Sequence, residues 1–502
     1  MVGWCEDVNA QITKLFGLFV LLFALLIVFT TRWSVLEAEE LKDEPSNRRA
    51  LIEEQTIPRG LVYARDGRTV LAKNIERGPR EDTPRARNLR TFVRTYPDGP
   101  LFGHTVGYSF LRNGRRGLEQ SENEPLAGEE NEFQSIFSQV RSRSREGRDV
   151  VTTLDPAAQR EALNALGGKK GAIVALEPQT GRVRVMASTP TYDPNQIPTR
   201  FNQLNGDSEG KPLNNRATQE LYPPGSTFKV VTAAAALDSG KATLERTFDG
   251  SSPQTISGVP LTNFGGQSFG PVSFTEALTN SVNTVFARLG ESVGRRTLIR
   301  YMDRFGFNQD PPLDYPGNQM IASGVRGDRG QLLRGNAGFD VGRVAIGQGG
   351  GEGQILVTPL QMAMVTGTVG NRGRLMRPTL VERVVAKDGR VTDRGEPNLQ
   401  ARVMSRRAAD QLGQMMKNVV KEGTGTAAAL SGVEVAGKTG TAEVRNGQAN
   451  QPWFIAFAPT NRPRVAIAIT LEDQPSGATG GQTAAPLAKR VLQRLLGSKA
   501  GG

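Results

Sequence analysis

Between Lys14 and Arg32 the chain carries no charge, and Leu15 to Phe29 reads LFGLFVLLFALLIVF. With Thr30 and Thr31 this makes about 17 residues, the short end of what crosses a hydrocarbon layer as a helix. A cleaved signal peptide is the alternative, but the following RWSVLEAEE offers no small-residue cleavage site. The segment is therefore expected to be an uncleaved signal anchor over residues 15–31, behind a short cytoplasmic tail, 1–14. Lys14 is the only nearby cation on the amino side, and the acidic Glu37, Glu39 and Glu40 beyond the helix are compatible with translocation. In this orientation Trp33 sits at the outer interface, Cys5 lies in the cytosol, and the rest of the chain is extracytoplasmic.

The remaining composition limits the chemistry. The chain has 502 residues, which suits two or three domains. Its 58 glycines and 29 prolines follow no fixed period, which argues against a collagen-like or repeat architecture. There is one cysteine, Cys5, and one histidine, His104. No Cys/His metal site and no internal disulfide can form, so neither metal nor cofactor is expected. A histidine-based triad would have to use His104, which reads better as a core or surface residue, so any nucleophile needs another base. The net charge of +12 suits an anionic membrane surface or polymer, or is a solubilising excess of arginine. No nucleic-acid motif accompanies it.

Residues 32–150 are arginine-rich and turn-rich. Gly60 to Leu71 reads as a hairpin around Asp66-Gly67. Thr91 to Ser109 has alternating, aromatic character, and Arg141 to Arg148 reads as a charged linker. After residue 150 the texture changes. Asp155-Pro156 caps a predicted helix, followed by two strands, Gly171 to Leu176 and Val183 to Ala187. A mostly helical middle leads to three more strand-like runs, Gly432 to Val444, Trp453 to Ala458 and Val465 to Leu471. A final amphipathic helix covers Ala484 to Leu496. The pattern predicts an α+β domain over 151–496, with a five-stranded, largely antiparallel sheet flanked by helices. Before it comes a β-rich domain over 32–150.

Three short motifs fall in the later domain. Ser226-Thr-Phe-Lys229 follows Pro223-Pro224-Gly225 and opens an alanine-rich helix. Ser226 and Lys229 then share one face at the helix start. A serine hydroxyl needs a base, and a lysine whose charge is suppressed by burial, the helix dipole or a second cation can serve. Ser281-Val282-Asn283 alone reads as a polar helix cap. Lys438-Thr439-Gly440-Thr441 lies on a strand, where Gly440 lets a ligand backbone approach and the lysine and hydroxyls can hold an anion; alone it reads as a turn. The three in this order match the S-x-x-K, S-x-N and K-T-G set of penicillin-binding proteins and serine β-lactamases.

The likeness extends past the motifs. GAIVALEPQTGRVRVMAS, NNRATQELYPPGSTFKVVTAAAAL, AIGQG (Ala345 to Gly349), VTPLQMA (Val357 to Ala363), GKTGTAEV and WFIAFAP resemble the transpeptidase domain of class B penicillin-binding proteins. Arg59-Gly60, Tyr96-Pro97, His104 to Tyr108 and Gly117 to Glu119 resemble that family's pedestal, or dimerisation, domain. The likeness runs from about residue 50 to 495 and is closest to single-anchor actinobacterial members. It implies a peptidoglycan D,D-transpeptidase that acts on stem peptides and is trapped by β-lactams. In it Ser226 is the nucleophile, Lys229 the base, Ser281 and Lys438 the proton relay to the leaving D-alanine, and Asn283 the group that orients Lys229 and the substrate amide. Thr439, Gly440 and Thr441 bind substrate, with the terminal carboxylate on Thr439, alone or together with Thr441, and the oxyanion on the N–H groups of Ser226 and Thr441. The resemblance also implies a glycan polymerase of the shape, elongation, division and sporulation family as partner.

Rivals fare less well. A serine β-lactamase would be smaller, lack a pedestal and need a deacylating carboxylate. Glu396-Pro-Asn-Leu399 imitates the relevant loop but sits in a charged segment far beyond Asn283. A D,D-carboxypeptidase is chemically nearer, and a β-lactam-binding sensor or scaffold is the binding-class alternative. Gly347-Gln-Gly349 either shapes the cleft edge or packs structurally. Gly349 to Gly353 lacks the Lys-Ser/Thr of a phosphate loop.

Overall fold

The computed structural model describes residues 3–32, 56–79, 90–128, 146–335, 338–350, 353–444 and 447–497. Trp33, Glu37, Glu39, Glu40 and Arg141 to Arg145 lie outside the described residues. The chain forms two compact units, one holding the amino-terminal helix and the other nearly everything from Pro58 onward.

The helix, α1, spans Gly3–Thr31. It begins earlier than the apolar run because polar residues before Leu15 continue the turn. Its 21-residue stretch Gln11–Thr31 has a mean hydropathy of 2.7. At 1.5 Å per residue this reaches about 32 Å, the depth of a hydrocarbon layer. The hydroxyl of Thr30 donates to Leu26 O at 2.6 Å, so it needs no outside partner.

In the second unit, Val62–Tyr63 pairs antiparallel with Val70–Arg77. The turn is as the Asp66-Gly67 pair predicts. Gly67 has φ 64°, and the Asp66 carboxylate accepts from the N–H groups of Arg68 and Thr69 at 2.9 and 2.8 Å. Val62–Tyr63 also pairs in parallel with Asp149–Thr152. That strand pairs with Val381–Val385, which continues into Val391–Arg394. The pedestal sheet is thus completed by residues from far beyond 150. Thr91 to Ser109 also departs from its alternating reading. Between a strand at Thr91–Thr95 and another starting at Tyr108 lies a helix, Gly99–Val106, started by Pro100 and buried through Leu101, Phe102 and Val106.

The large antiparallel sheet contains β1 (Gly171–Leu176), β2 (Val183–Thr189), β3 (Ala436–Val444), β4 (Ala449–Ala458) and β5 (Val465–Leu471), in the order β3-β4-β5-β1-β2. All neighbours are antiparallel, and a two-residue strand, Gln474–Pro475, adds to β4. β3 starts later than predicted and β4 earlier, because Asn450 and Gln451 pair with Glu443 and Ala442 despite their polarity. The helices used below are α2 (Pro156–Leu166), α3 (Lys229–Asp238), α4 (Asn283–Val293), α5 (Pro359–Gly370), α6 (Arg406–Lys421) and α7 (Ala485–Leu496). Alternate strand residues feed two cores. Ile173, Val185, Ile467 and Phe454 pack with α2 and α7, whereas Val174, Met186, Ala468 and Ile455 pack toward α5 and α6. Burial on both faces explains why these strands are nearly continuous apolar runs. The Asp155 carboxylate caps α2 through the N–H groups of Ala157 and Ala158, both at 3.1 Å.

Candidate active site

The three motifs come together where the start of α3, the loop before α4 and strand β3 meet. Gly225–Phe228 is a short 3-10 turn, and the α-helix proper begins at Lys229. This corrects the expected single α-helix. The tighter turn follows from Gly225 at φ 51° and from the Thr227 hydroxyl, which donates to Pro224 O at 2.8 Å. In a 3-10 turn side chains three apart eclipse, so Ser226 and Lys229 share a face as predicted. The turn is held from several sides. Trp453 Nε1 donates to Pro223 O at 3.0 Å, Gly225 N–H donates to Gly347 O at 3.0 Å, and the Thr232 hydroxyl donates to Ala345 O at 2.7 Å. Gly347 and Gly440 are needed for this contact. A Cβ on Gly347 would fall 1.8 Å from Gly225 O, and one on Gly440 2.7 Å from Pro224 O. Gly347 therefore packs beneath the Ser226 turn.

Lys229 is fully buried. Its Nζ lies 2.7 Å from Ser281 O, 2.7 Å from Asn283 Oδ1 and 3.2 Å from Ser281 Oγ. No carboxylate is among these partners. Burial, and then the charge of Lys438, hold its pKa well below the usual lysine range. Lys438 is also fully buried, donates to Ser281 Oγ and Thr439 O, both at 2.9 Å, and is brought by burial to about 7. Ser281 itself has φ 59°, a left-handed conformation that a non-glycine residue adopts at a cost and that recurs at functional sites. Asn283 Nδ2 donates to Thr262 O at 3.1 Å, which fixes its amide with Oδ1 toward Lys229.

The Ser226 hydroxyl makes no hydrogen bond among the described residues and is partly exposed. The structure thus joins Lys229, Ser281, Asn283 and Lys438 in one network, with the partly exposed Ser226 one turn before Lys229 and outside that network. Such donor–base contacts commonly close only in the reacting complex. Thr439 is buried and Thr441 half-buried on β3, with the Thr441 hydroxyl accepting from Gly480 N–H at 3.2 Å.

Residues 171–493 match the penicillin binding protein transpeptidase domain, and residues 59–150 match the penicillin binding protein A dimerisation domain. The chain belongs to the penicillin-binding protein family. Among curated relatives of this family, Peptidoglycan D,D-transpeptidase PbpA of Mycolicibacterium smegmatis is 33% identical, over 97% of this chain and 99% of that one. Its namesake in Mycobacterium tuberculosis is 32% identical, with the same coverage. Penicillin-binding protein A of M. tuberculosis, solved as a ceftriaxone acyl-enzyme complex, superposes with a TM-score of 0.77 at 31% identity, covering 89% of this chain and all of that one. A D,D-transpeptidase domain from Eggerthella lenta gives 0.74 at 31% identity, covering 88% and 99%.

Other family features fall away from the chemistry. Glu396 is exposed just past the strand Val391–Arg394, which belongs to the pedestal sheet. His104 is buried, its Nε2 2.8 Å from Pro212 O, and burial lowers its pKa to about 4. One site residue escaped sequence reasoning. Thr424, in the loop after α6, has its hydroxyl 2.6 Å from that of Thr439. Its only signal is a Gly-Thr-Gly-Thr run, which reads as an ordinary loop.

Proposed function

We propose that this chain is a membrane-anchored peptidoglycan D,D-transpeptidase with Ser226 as its nucleophile. The observation that carries this reading is the burial of Lys229 among acceptors that carry no charge, one turn from Ser226. A lysine so placed gives up its proton more readily than an exposed one, and its neutral form can take a proton.

In this reading Ser226 Oγ attacks the carbonyl carbon of the penultimate D-alanine while Lys229 accepts the hydroxyl proton. The first helical turn leaves N–H groups without intrahelical partners, and Ser226 N–H with Thr441 N–H stabilises the oxyanion. The amide bond to the terminal D-alanine then breaks. Its nitrogen receives a proton from Lys438 through Ser281 Oγ, which lies 2.9 Å from Lys438 Nζ. Thr439 holds the terminal carboxylate, and Asn283 holds the substrate amide. A neighbouring stem-peptide amine attacks the Ser226 ester, forms the cross-link and releases the hydroxyl. β-Lactams enter the first half of this cycle and stop there. Helix α1 anchors the chain with the catalytic domain outside the membrane, where a glycan polymerase of the kind implied by the family would supply new strands.

Full-length protein in detergent, incubated with a fluorescent penicillin, tests the nucleophile: wild type takes up a stable covalent label and Ser226→Ala takes up none. Label on the variant would move the nucleophile elsewhere. A stem-peptide donor supplied with an acceptor amine should give dimer; accumulation of free acid instead would make the chain a carboxypeptidase.

A further inference from the structure

Two threonine hydroxyls meet at the edge of the site. Thr439 follows Lys438 on β3 and is 7% exposed. Thr424 comes from the loop after α6 and is exposed, with its Oγ1 2.6 Å from Thr439 Oγ1. Among the described residues this is the one hydrogen bond that either hydroxyl makes. The backbone of Thr424 is fixed from both sides. Its N–H donates to Thr279 O at 3.4 Å, and a Cβ on Gly423 would come 2.5 Å from the same carbonyl. Opposite, a Cβ on Gly481 would come 2.4 Å from Thr424 O. The adjoining Gly480 N–H donates to Thr441 Oγ1 at 3.2 Å. One glycine pair therefore backs both Thr424 and the last motif threonine.

Each hydroxyl has a single proton, so the pair has a direction. An ionised carboxylate only accepts. When one reaches Thr439, the arrangement that uses every proton runs from Thr424 to Thr439 to the carboxylate. Hydrogen bonds in such a chain polarise one another, and the last one, to a charged acceptor, gains most. Without the Thr424 hydroxyl, Thr439 Oγ1 loses the incoming hydrogen bond that polarises its own O–H toward the carboxylate. We infer that Thr424 is a positioning residue for acyl donors that end in a free carboxylate, donating to Thr439 Oγ1 and turning the Thr439 proton toward that carboxylate. This rests on the reading of Thr439 as the carboxylate-binding residue.

The test measures the second-order rate of acylation of the full-length protein by benzylpenicillin and by its methyl ester, which lacks the charge. Thr424→Val should slow the acid about tenfold and the ester less than about twofold. Thr424→Ser, which keeps the hydroxyl, should return the acid to within about twofold of wild type. Equal slowing of acid and ester would reduce Thr424 to a structural role, and an unchanged acid rate would overturn the inference outright. Thr439→Val separates the two readings: it should abolish the preference for acid over ester. If that preference survives, the assignment of Thr439 fails and the role of Thr424 falls with it.

Discussion

Lys229 and Lys438 meet at one oxygen, Ser281 Oγ, which lies 3.2 Å from the first Nζ and 2.9 Å from the second. Two buried ammonium groups so close to a shared acceptor disfavour double protonation, and their titration belongs to the pair. In the proposed mechanism the productive form has Lys229 neutral and Lys438 charged. As pH rises, Lys229 loses its proton first, because burial and Lys438 hold it lowest; Lys438 follows at about 7. The acylation rate should therefore rise and then fall with pH, with its alkaline limb near that value. Lys438→Gln removes the neighbouring charge, so the Lys229 pKa rises and the acid limb moves to higher pH. A stopped-flow pH series with a chromogenic cephalosporin checks both; an unmoved acid limb would deny that Lys438 acts on Lys229.

Ser281 sits at φ 59° and still has to present its hydroxyl to both lysines. Any side chain in that backbone region costs about 1 kcal/mol, which glycine avoids. Ser281→Ala and Ser281→Gly lose the same two hydrogen bonds, so their difference isolates the backbone. Ser281→Gly should be more stable than Ser281→Ala by about 1 kcal/mol in urea unfolding. Both should lose about a hundredfold in acylation, since neither can relay a proton. An alanine variant as stable as the glycine one would show that the loop relaxes and stores no strain.

Much of this was legible in the sequence because the deciding signals are local. Gly171 to Leu176 and Val465 to Leu471 form strands over the predicted residues, since each is an apolar run bounded by turns and buried on both faces. The lysine network follows from three motifs, each supplied by one short segment. What stayed hidden depends on distant pairing. Val381–Val385 looks like any short β run, and nothing local says that it joins Asp149–Thr152. Gly99–Val106 hides a helix because its buried aromatic and aliphatic residues also suit a strand. Thr424 has no local signature at all; its place is set by Thr279, Gly481 and Thr439, which come from three other segments.

Gly347 lies beneath the turn that carries Ser226, the proposed nucleophile, at φ 80°, and a Cβ there would overlap Gly225 O at 1.8 Å. Backbone cannot swing aside as a flexible side chain can, so Gly347→Ala must displace Gly225 and with it Ser226. A shift near 1 Å at a reacting atom costs about a hundredfold in rate. Penicillin labelling of Gly347→Ala should fall by about that factor even in the folded fraction isolated by gel filtration. Labelling within twofold of wild type would mean that the turn does not depend on this contact.

The pedestal has its own buried charge centre, and it predicts a stability effect separable from catalysis. Glu119 is fully buried. Its carboxylate accepts from Arg94 Nε at 2.5 Å and Arg59 Nη2 at 3.1 Å, and from the Tyr96 hydroxyl at 3.4 Å. Burial pushes its pKa up, but Arg94 and Arg59 outweigh burial and hold it below the ordinary glutamate value. A depressed folded pKa contributes stability that is present above the unfolded value and is lost as pH falls through the folded one. Glu119→Gln removes the buried carboxylate that Arg94 and Arg59 both contact, a loss that costs about 3–5 kcal/mol. Urea unfolding followed at pH 7 should show that loss, while the acylation rate of the folded variant, whose site is built from other segments, stays within about twofold of wild type. The variant should also lose part of the acid dependence of stability below the ordinary glutamate range, because the depressed carboxyl is gone. Unchanged stability at pH 7 would mean that solvent reaches the two arginines when the carboxylate is removed.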